Sequence, residues 1–298
     1  MHEKKLTVRY FILSFAIGFL LLSVAAMLVV LFIPPQMETG QAQQNTADGI
    51  SYLPSNQETL NLLLVVEPRE GAQRLYALLR FDPARGQIPV AVLPPGTLVG
   101  AQGRLATVES AYTYAGIRRV AAQLEEALGI AVDRYLQLDV QDAVTLVDLL
   151  GGVQYRVKKR MVFNSAGTQT VLEPGPRQLS GNLFGEVLSY SFPEGELERS
   201  SALGNLIASL LNDHSDLLLT AEADSVFQSL VNMGETNVSA LDYQERKPAA
   251  RFMARLSPDA AFSVRLSGQE EGTYGSFQLS EDCRRQLAAI FSPLPERT

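Results

Sequence analysis

Between Tyr135 and Val153 the chain reads YLQLDVQDAVTLVDLLGGV, and this stretch limits the possible folds more than any other. Leu136, Leu138 and Val140 alternate with Tyr135, Gln137 and Asp139, the period of a strand with one buried face. Asp139 then stands where a helix N-cap belongs, with Asp142 in the first turn near the positive end of the helix dipole. Val144, Val147 and Leu150 recur at helical spacing, and Leu146 and Leu149 widen the apolar face. Gly151 and Gly152 supply the backbone freedom that ends a helix before the next strand. A strand, a helix and a second strand in such close succession are a scaffold signal, and the segment carries almost no chemistry.

The rest of the chain repeats that alternation. Leu60 to Val66 (LNLLLVV) is a continuous apolar run, the pattern of a strand buried on both faces. Leu75 to Phe81 and Gln87 to Leu93 are further strands, separated by the turn residues Asp82-Pro83-Ala84-Arg85-Gly86. Val108 to Leu128 is an amphipathic helix with Ala111, Ala115, Val120, Leu124 and Leu128 on one face. Gln154 to Pro176 is loop-rich with short strands, Ser200 to Leu219 is helical, Leu241 to Leu256 and Glu281 to Phe291 are further helices, and Ala261 to Leu266 is a strand. Strands alternating with helices argue for one α/β or α+β domain with a helix-covered central sheet.

The N-terminal residues set the expected location. No charge occurs from Tyr10 to Met37, and residues 10–33 are long enough to span a bilayer. Lys4, Lys5 and Arg9 precede the span and Glu38 is the first charge after it, which places the N-terminus in the cytoplasm and the bulk outside. A cleaved signal peptide would have a shorter apolar core and a small-x-small site, so an uncleaved anchor is the preferred reading. The expected layout is a cytoplasmic tail at 1–9, an anchor at 10–33, a polar stalk at 34–58, the extracytoplasmic domain at 59–293 and a short tail at 294–298. The N-terminal tail has a net charge of +2 in a chain of −7, which leaves −9 beyond it and disfavours nucleic acid as a partner.

Several reaction classes lack their residues. The histidines are His2 and His214, which leaves no histidine triad and no multi-histidine metal site. No phosphate-cradling glycine loop is present, and Gly100 to Gly103 reads as a turn. The single cysteine, Cys283, excludes an internal disulfide and reads as a small residue in a C-terminal helix.

A family resemblance emerges from short motifs in order. These are Asn61-Leu62-Leu63-Leu64, Phe81-Asp82-Pro83, Val92-Leu93-Pro94 followed by Thr97, Ser110-Ala111-Tyr112-Thr113-Tyr114-Ala115-Gly116, the Tyr135 to Val153 segment, and Leu172-Glu173-Pro174-Gly175 with Leu179-Ser180-Gly181. Together they resemble the LytR-CpsA-Psr family of bacterial envelope proteins over about Leu60 to Phe291. The resemblance implies an α/β fold with α-β-α layers and a central mixed sheet flanked by helices. It also implies transfer of glycopolymers from a polyprenyl-pyrophosphate carrier to peptidoglycan. Such a site needs arginines and a carboxylate-held Mg²⁺ against the pyrophosphate charge, and an apolar cavity for the lipid tail.

The charged positions depart from the family pattern. By resemblance, the first family aspartate falls near Glu67, followed by Arg69, and the second near Arg74, a cation in place of a metal ligand. Pro95 and Gly96 replace an arginine-aspartate pair. The family's arginine-x-arginine strand should fall near Ser189 to Pro193, where no Lys or Arg occurs, and Glu198-Arg199 retains part of a later arginine-rich helix start. The resemblance thus leaves Arg69, Arg74 and Arg199 as phosphate-binding candidates and Glu67 as the metal candidate. The alternatives are a solvent-exposed Glu67 and three independent surface arginines. Mg²⁺ is expected only if activity is retained, and no other cofactor is expected.

Three functions stay open. The first is a catalytically impaired member that binds a polyprenyl-linked precursor or a sister enzyme. The second is an active Mg²⁺-dependent transferase using Glu67, Arg69 and Arg199, and the third is an interaction domain with a filled cleft.

Overall fold

A computed structural model of the protein describes residues 52–100, 106–165, 168–271 and 275–292. The expected N-terminal tail, membrane span and most of the stalk lie outside the described residues, as does the 294–298 tail. Among the described residues no helix is long and apolar enough to cross a membrane.

The first strand, β1, is Leu60–Glu67, followed by β2 at Leu75–Phe81 and β3 at Ile88–Leu93. The turn between β2 and β3 closes through paired backbone bonds between Asp82 and Gln87. Helix α1, Val108–Leu128, starts at a Thr107 cap and breaks at Ala115 and Gly116, where φ reaches +70° at the glycine. Strand β4 is Arg134–Asp139, and Asp139 caps helix α2, Val140–Leu150, by accepting from the Asp142 amide at 2.7 Å. Gly151 ends α2 at φ +88°, left-handed backbone that disfavours a side chain.

The chain continues through β5 (Val153–Val157), β6 (Met161–Ser165), β7 (Thr168–Leu172) and β8 (Gly175–Leu179), then α3 (Gly181–Leu188) and α4 (Glu196–Asp213). Helix α5 (Glu222–Met233), β9 (Glu235–Thr236), α6 (Ala240–Leu256), β10 (Ala261–Ser263), the hairpin β11 (Gly268–Glu271) and β12 (Ser276–Leu279), and α7 (Glu281–Ile290) complete it.

The central sheet has the order β10-β3-β2-β1-β4-β9. It is mixed: β1 pairs antiparallel with β2 and parallel with β4. Alternation along β1 explains its uninterrupted apolar run. Leu63 and Val65 face a core built with α1 and α7, while Leu62, Leu64 and Val66 face a second core with α2, α3 and α4. Two filled faces give the expected α-β-α layering, and each fully buried Leu or Val contributes about 1.5–3 kcal/mol.

Several local expectations change, and the strand expected over Ala261 to Leu266 is only Ala261–Ser263. The helix placed over Ser200 to Leu219 begins at Glu196 and stops at Asp213, because His214 leaves helical backbone and its Nε2 meets the Gly152 carbonyl at 2.7 Å. A 3-10 turn then covers Ser215–Leu219. Ser189 to Pro193 is irregular instead of a strand, and Tyr190 packs edge-on against Phe163 and Phe192 there. The eight-residue α3 has glycine at 181 and 185, poor helix formers that hide it in the sequence. Tertiary packing overrides that propensity: a Cβ on Gly181 would lie 2.2 Å from the Val144 carbonyl oxygen of α2.

Candidate functional site

Glu67 ends β1 and Arg74 immediately precedes β2, so the β1–β2 connection brings them side by side. Arg74 Nε donates to Glu67 Oε2 at 2.9 Å, and Nη2 lies 2.8 Å from the same oxygen. The other edge of the guanidinium donates through Nη1 to Glu109 Oε1, in the first turn of α1. Two tyrosines complete the arrangement. Tyr112 donates its hydroxyl to Glu67 Oε1, and Tyr76 donates to Glu109 Oε2 at 2.8 Å. The Arg74 guanidinium carbon sits 4.2 Å above the Tyr112 ring, a cation–π contact, and the two tyrosine rings meet edge to face at 5.9 Å.

The electrostatics follow from these contacts. Burial works against the charge on Arg74, but its bonds to Glu67, Tyr76 and Glu109 outweigh that and hold it protonated. Burial pushes the Tyr76 hydroxyl well above its ordinary range. It does the same for Tyr112, reinforced by the Glu67 carboxylate. Both hydroxyls therefore act as donors at neutral pH.

The other candidates lie around the same turn with different partners. Arg69 Nη1 binds Glu186 of α3 at 2.6 Å, and Arg69 is about a third exposed. Arg199 is 3% exposed and donates Nη2 to the backbone carbonyls of Gln73 and Arg74 at 3.1 and 3.3 Å. Burial lowers its basicity, and Glu196, 4.0 Å away, partly offsets this. All four candidates thus gather at one end of the sheet, yet each is engaged inside the protein. With Glu109, Glu186 and Glu196 counted, four carboxylates face three guanidiniums. The cluster offers a phosphate no net positive charge.

Glu109 and Glu186 were not singled out in the sequence. Glu109 sits 35 residues from Arg74, and a first-turn carboxylate has an ordinary explanation as a dipole partner. Arg80 is buried at the far end of β2, bound to Asp82 at 2.9 Å and to Asn61 at 3.0 Å. Lys159 and Arg160 form exposed ion pairs with Glu194 and Glu173.

The Pro95-Gly96 segment has a packing role. Phe277 of β12 donates its amide to the Gly96 carbonyl at 2.8 Å, and Leu98 donates back to the Phe277 carbonyl at 2.9 Å. A Cβ on Gly96 would lie 1.9 Å from the Gly275 carbonyl oxygen. The Pro95 carbonyl accepts from the Glu109 amide at 2.9 Å, so the same segment seats the start of α1.

Apolar cavities lie on the α2–α4 side of the sheet. One of about 60 Å³ lies beside the charged cluster, lined by Leu64, Val66, Leu75, Phe184 and Ile207 among others. A larger one of about 310 Å³ is lined by Phe81, Ile88, Leu150, Phe227 and Met253 among others. Leu146 and Leu210 border both. The larger cavity reaches Phe81, at the other end of β2 from Arg74 and roughly 20 Å from it along the strand.

The sequence model of the LytR_cpsA_psr family matches residues 75–259. The polyisoprenyl-teichoic acid–peptidoglycan teichoic acid transferase TagU of Bacillus licheniformis is 22% identical over 189 residues, which cover 60% of this chain and 59% of that protein. Its match therefore spans under two thirds of the relative's length. The crystal structure of B. subtilis TagV is similar with a TM-score of 0.64 at 16% identity, covering 78% of this chain and 95% of that one. A structure of TagT bound to LI-WTA is similar with a TM-score of 0.62 at 17% identity, covering 82% and 93%. At these identities the structural likenesses speak to fold.

Proposed function

The chain belongs to the LytR-CpsA-Psr family, and from that premise we propose that it is a non-catalytic member acting in envelope glycopolymer assembly. It is anchored by residues 10–33 with its domain outside the cell membrane, and it binds a polyprenyl-linked precursor or a sister enzyme without turning the precursor over. One observation carries this reading: Arg69, Arg74 and Arg199 each spend their guanidinium on a partner within the protein. Each missing contact to a developing phosphate charge removes on the order of 3 kcal/mol of transition-state stabilisation, so three together leave little rate enhancement. The 310 Å³ cavity supports a role for lipid, since it sits at the small end of ligand pockets and suits part of a polyprenyl chain.

Incubating the full-length chain with polyprenyl-pyrophosphate-linked glycopolymer, peptidoglycan and Mg²⁺ tests the reading. No transfer above the no-protein control is expected. Sustained metal-dependent transfer would favour an active transferase and overturn the proposal. The narrowness of the 60 Å³ space beside the charged cluster favours a second reading, an interaction domain that takes no lipid. Mass spectrometry of lipid extracted from the purified chain separates the two, because a co-purified polyprenyl chain rules out the second.

A further inference from the structure

Glu67 and Glu109 come from separate elements, the end of β1 and the start of α1, and they present carboxylates to one small space. Two carboxylates so placed ordinarily need a cation between them, and a divalent metal is the common solution. Here the Arg74 side chain enters that space instead. Its Nε and Nη2 edge meets Glu67 Oε2 and its Nη1 meets Glu109 Oε1. The remaining oxygen of each carboxylate accepts from a tyrosine, Tyr112 for Glu67 and Tyr76 for Glu109.

All four carboxylate oxygens are thereby engaged. The neighbouring acid Asp139, paired in register with Glu67 across β1 and β4, is turned away to cap α2. A metal would have to displace the guanidinium, and it would meet that positive charge at close range. Among the described residues no group of three or more potential ligand side chains stands ready to hold a metal.

We infer that the Arg74 guanidinium is a built-in counter-ion occupying the place of a divalent cation, so that Glu67 and Glu109 hold β1, β2 and α1 together without one. The residues do not fit Mg²⁺ while Arg74 is present. Removing Arg74 uncovers a latent cation site on the two carboxylates. This inference goes beyond the proposed function, and its readout is metal binding instead of polymer transfer, so either can fail alone.

The test uses the full-length chain, titrated with Mn²⁺ by calorimetry and with Tb³⁺ by luminescence. The chain has no tryptophan, and Tyr76 and Tyr112 touch the two carboxylates, so Tb³⁺ bound there is sensitised through tyrosine. The wild-type chain is expected to show no site at millimolar Mn²⁺. Arg74→Ala and Arg74→Asp are each expected to gain one site at least tenfold tighter than any residual wild-type binding, lost again when Glu67→Gln is added. Wild-type binding as tight as in the variants would overturn the inference, as would a folded Arg74→Ala chain that binds no metal. If Arg74→Ala unfolds in metal-free buffer, Mn²⁺ but not Na⁺ should restore its melting transition, and failure of that rescue would also overturn it.

Discussion

Arg199 donates to the backbone carbonyl of Arg74 at 3.3 Å, so one arginine of the expected phosphate-binding set is spent holding the backbone of another. It also binds the Gln73 carbonyl, and it is almost fully buried. Arg199→Ala would take the donor from two partly buried carbonyls and leave a void where a nearly fully buried side chain sat, so a loss of about 3 kcal/mol is expected in urea unfolding. Arg199→Lys should recover only part of this, because an ammonium lacks the planar fork. A loss below about 0.5 kcal/mol would contradict the structural role.

Gly96→Asp would return a carboxylate to a position where the family pattern has charge. The added Cβ would lie 1.9 Å from the Gly275 carbonyl oxygen, which belongs to backbone and cannot swing aside. Overpacking of this kind costs about 1–3 kcal/mol. The expected result is a lower melting temperature with no gain of transferase activity. An unchanged melting temperature would show that the β11–β12 hairpin yields easily.

Asp242 gives the fold an acid-sensitive joint. Bidentate bonds from Arg134 at 2.8 Å hold its carboxyl well below the usual carboxylate range, aided by Ser239 and opposed by burial. The unfolded chain takes up this proton near pH 4, whereas the folded chain resists it. The contribution is therefore complete above about pH 4 and is lost as pH falls below it. Asp242→Asn should lower stability at pH 7 and flatten the decline below pH 4, measured by thermal melts across pH.

Arg69 is the most exposed of the three candidate arginines, and its partner Glu186 is itself a quarter exposed or less. Glu186→Gln keeps the shape and releases the charge. Stability should change by less than about 1 kcal/mol, as for solvent-accessible pairs. Binding to polyprenyl-phosphate vesicles should strengthen severalfold in a co-sedimentation assay. An unchanged affinity would place the headgroup away from Arg69.

Local pattern carried the scaffold. The period-2 and period-3.6 repeats, the Asp139 cap and the Gly151 stop are short-range features, and they are legible because they depend on neighbours in the chain. The same reasoning missed α3, where glycines contradict the helix and only contact with α2 justifies them. Nor does local pattern reveal the close approach of the Gly275 carbonyl that leaves no room for a side chain at Gly96.

For this protein, sequence alone determined the layered α/β domain and the family likeness. Tertiary structure decided what the remaining charges do. Glu67, Arg69, Arg74 and Arg199 could each be read as a ligand for something outside the chain. Whether a guanidinium faces solvent, a phosphate or a carboxylate depends on side chains that folding brings in from distant elements, and here it brought Glu109 to Arg74 and Glu186 to Arg69. Ion pairing is a long-range property of the folded chain, while strand and helix periods are local.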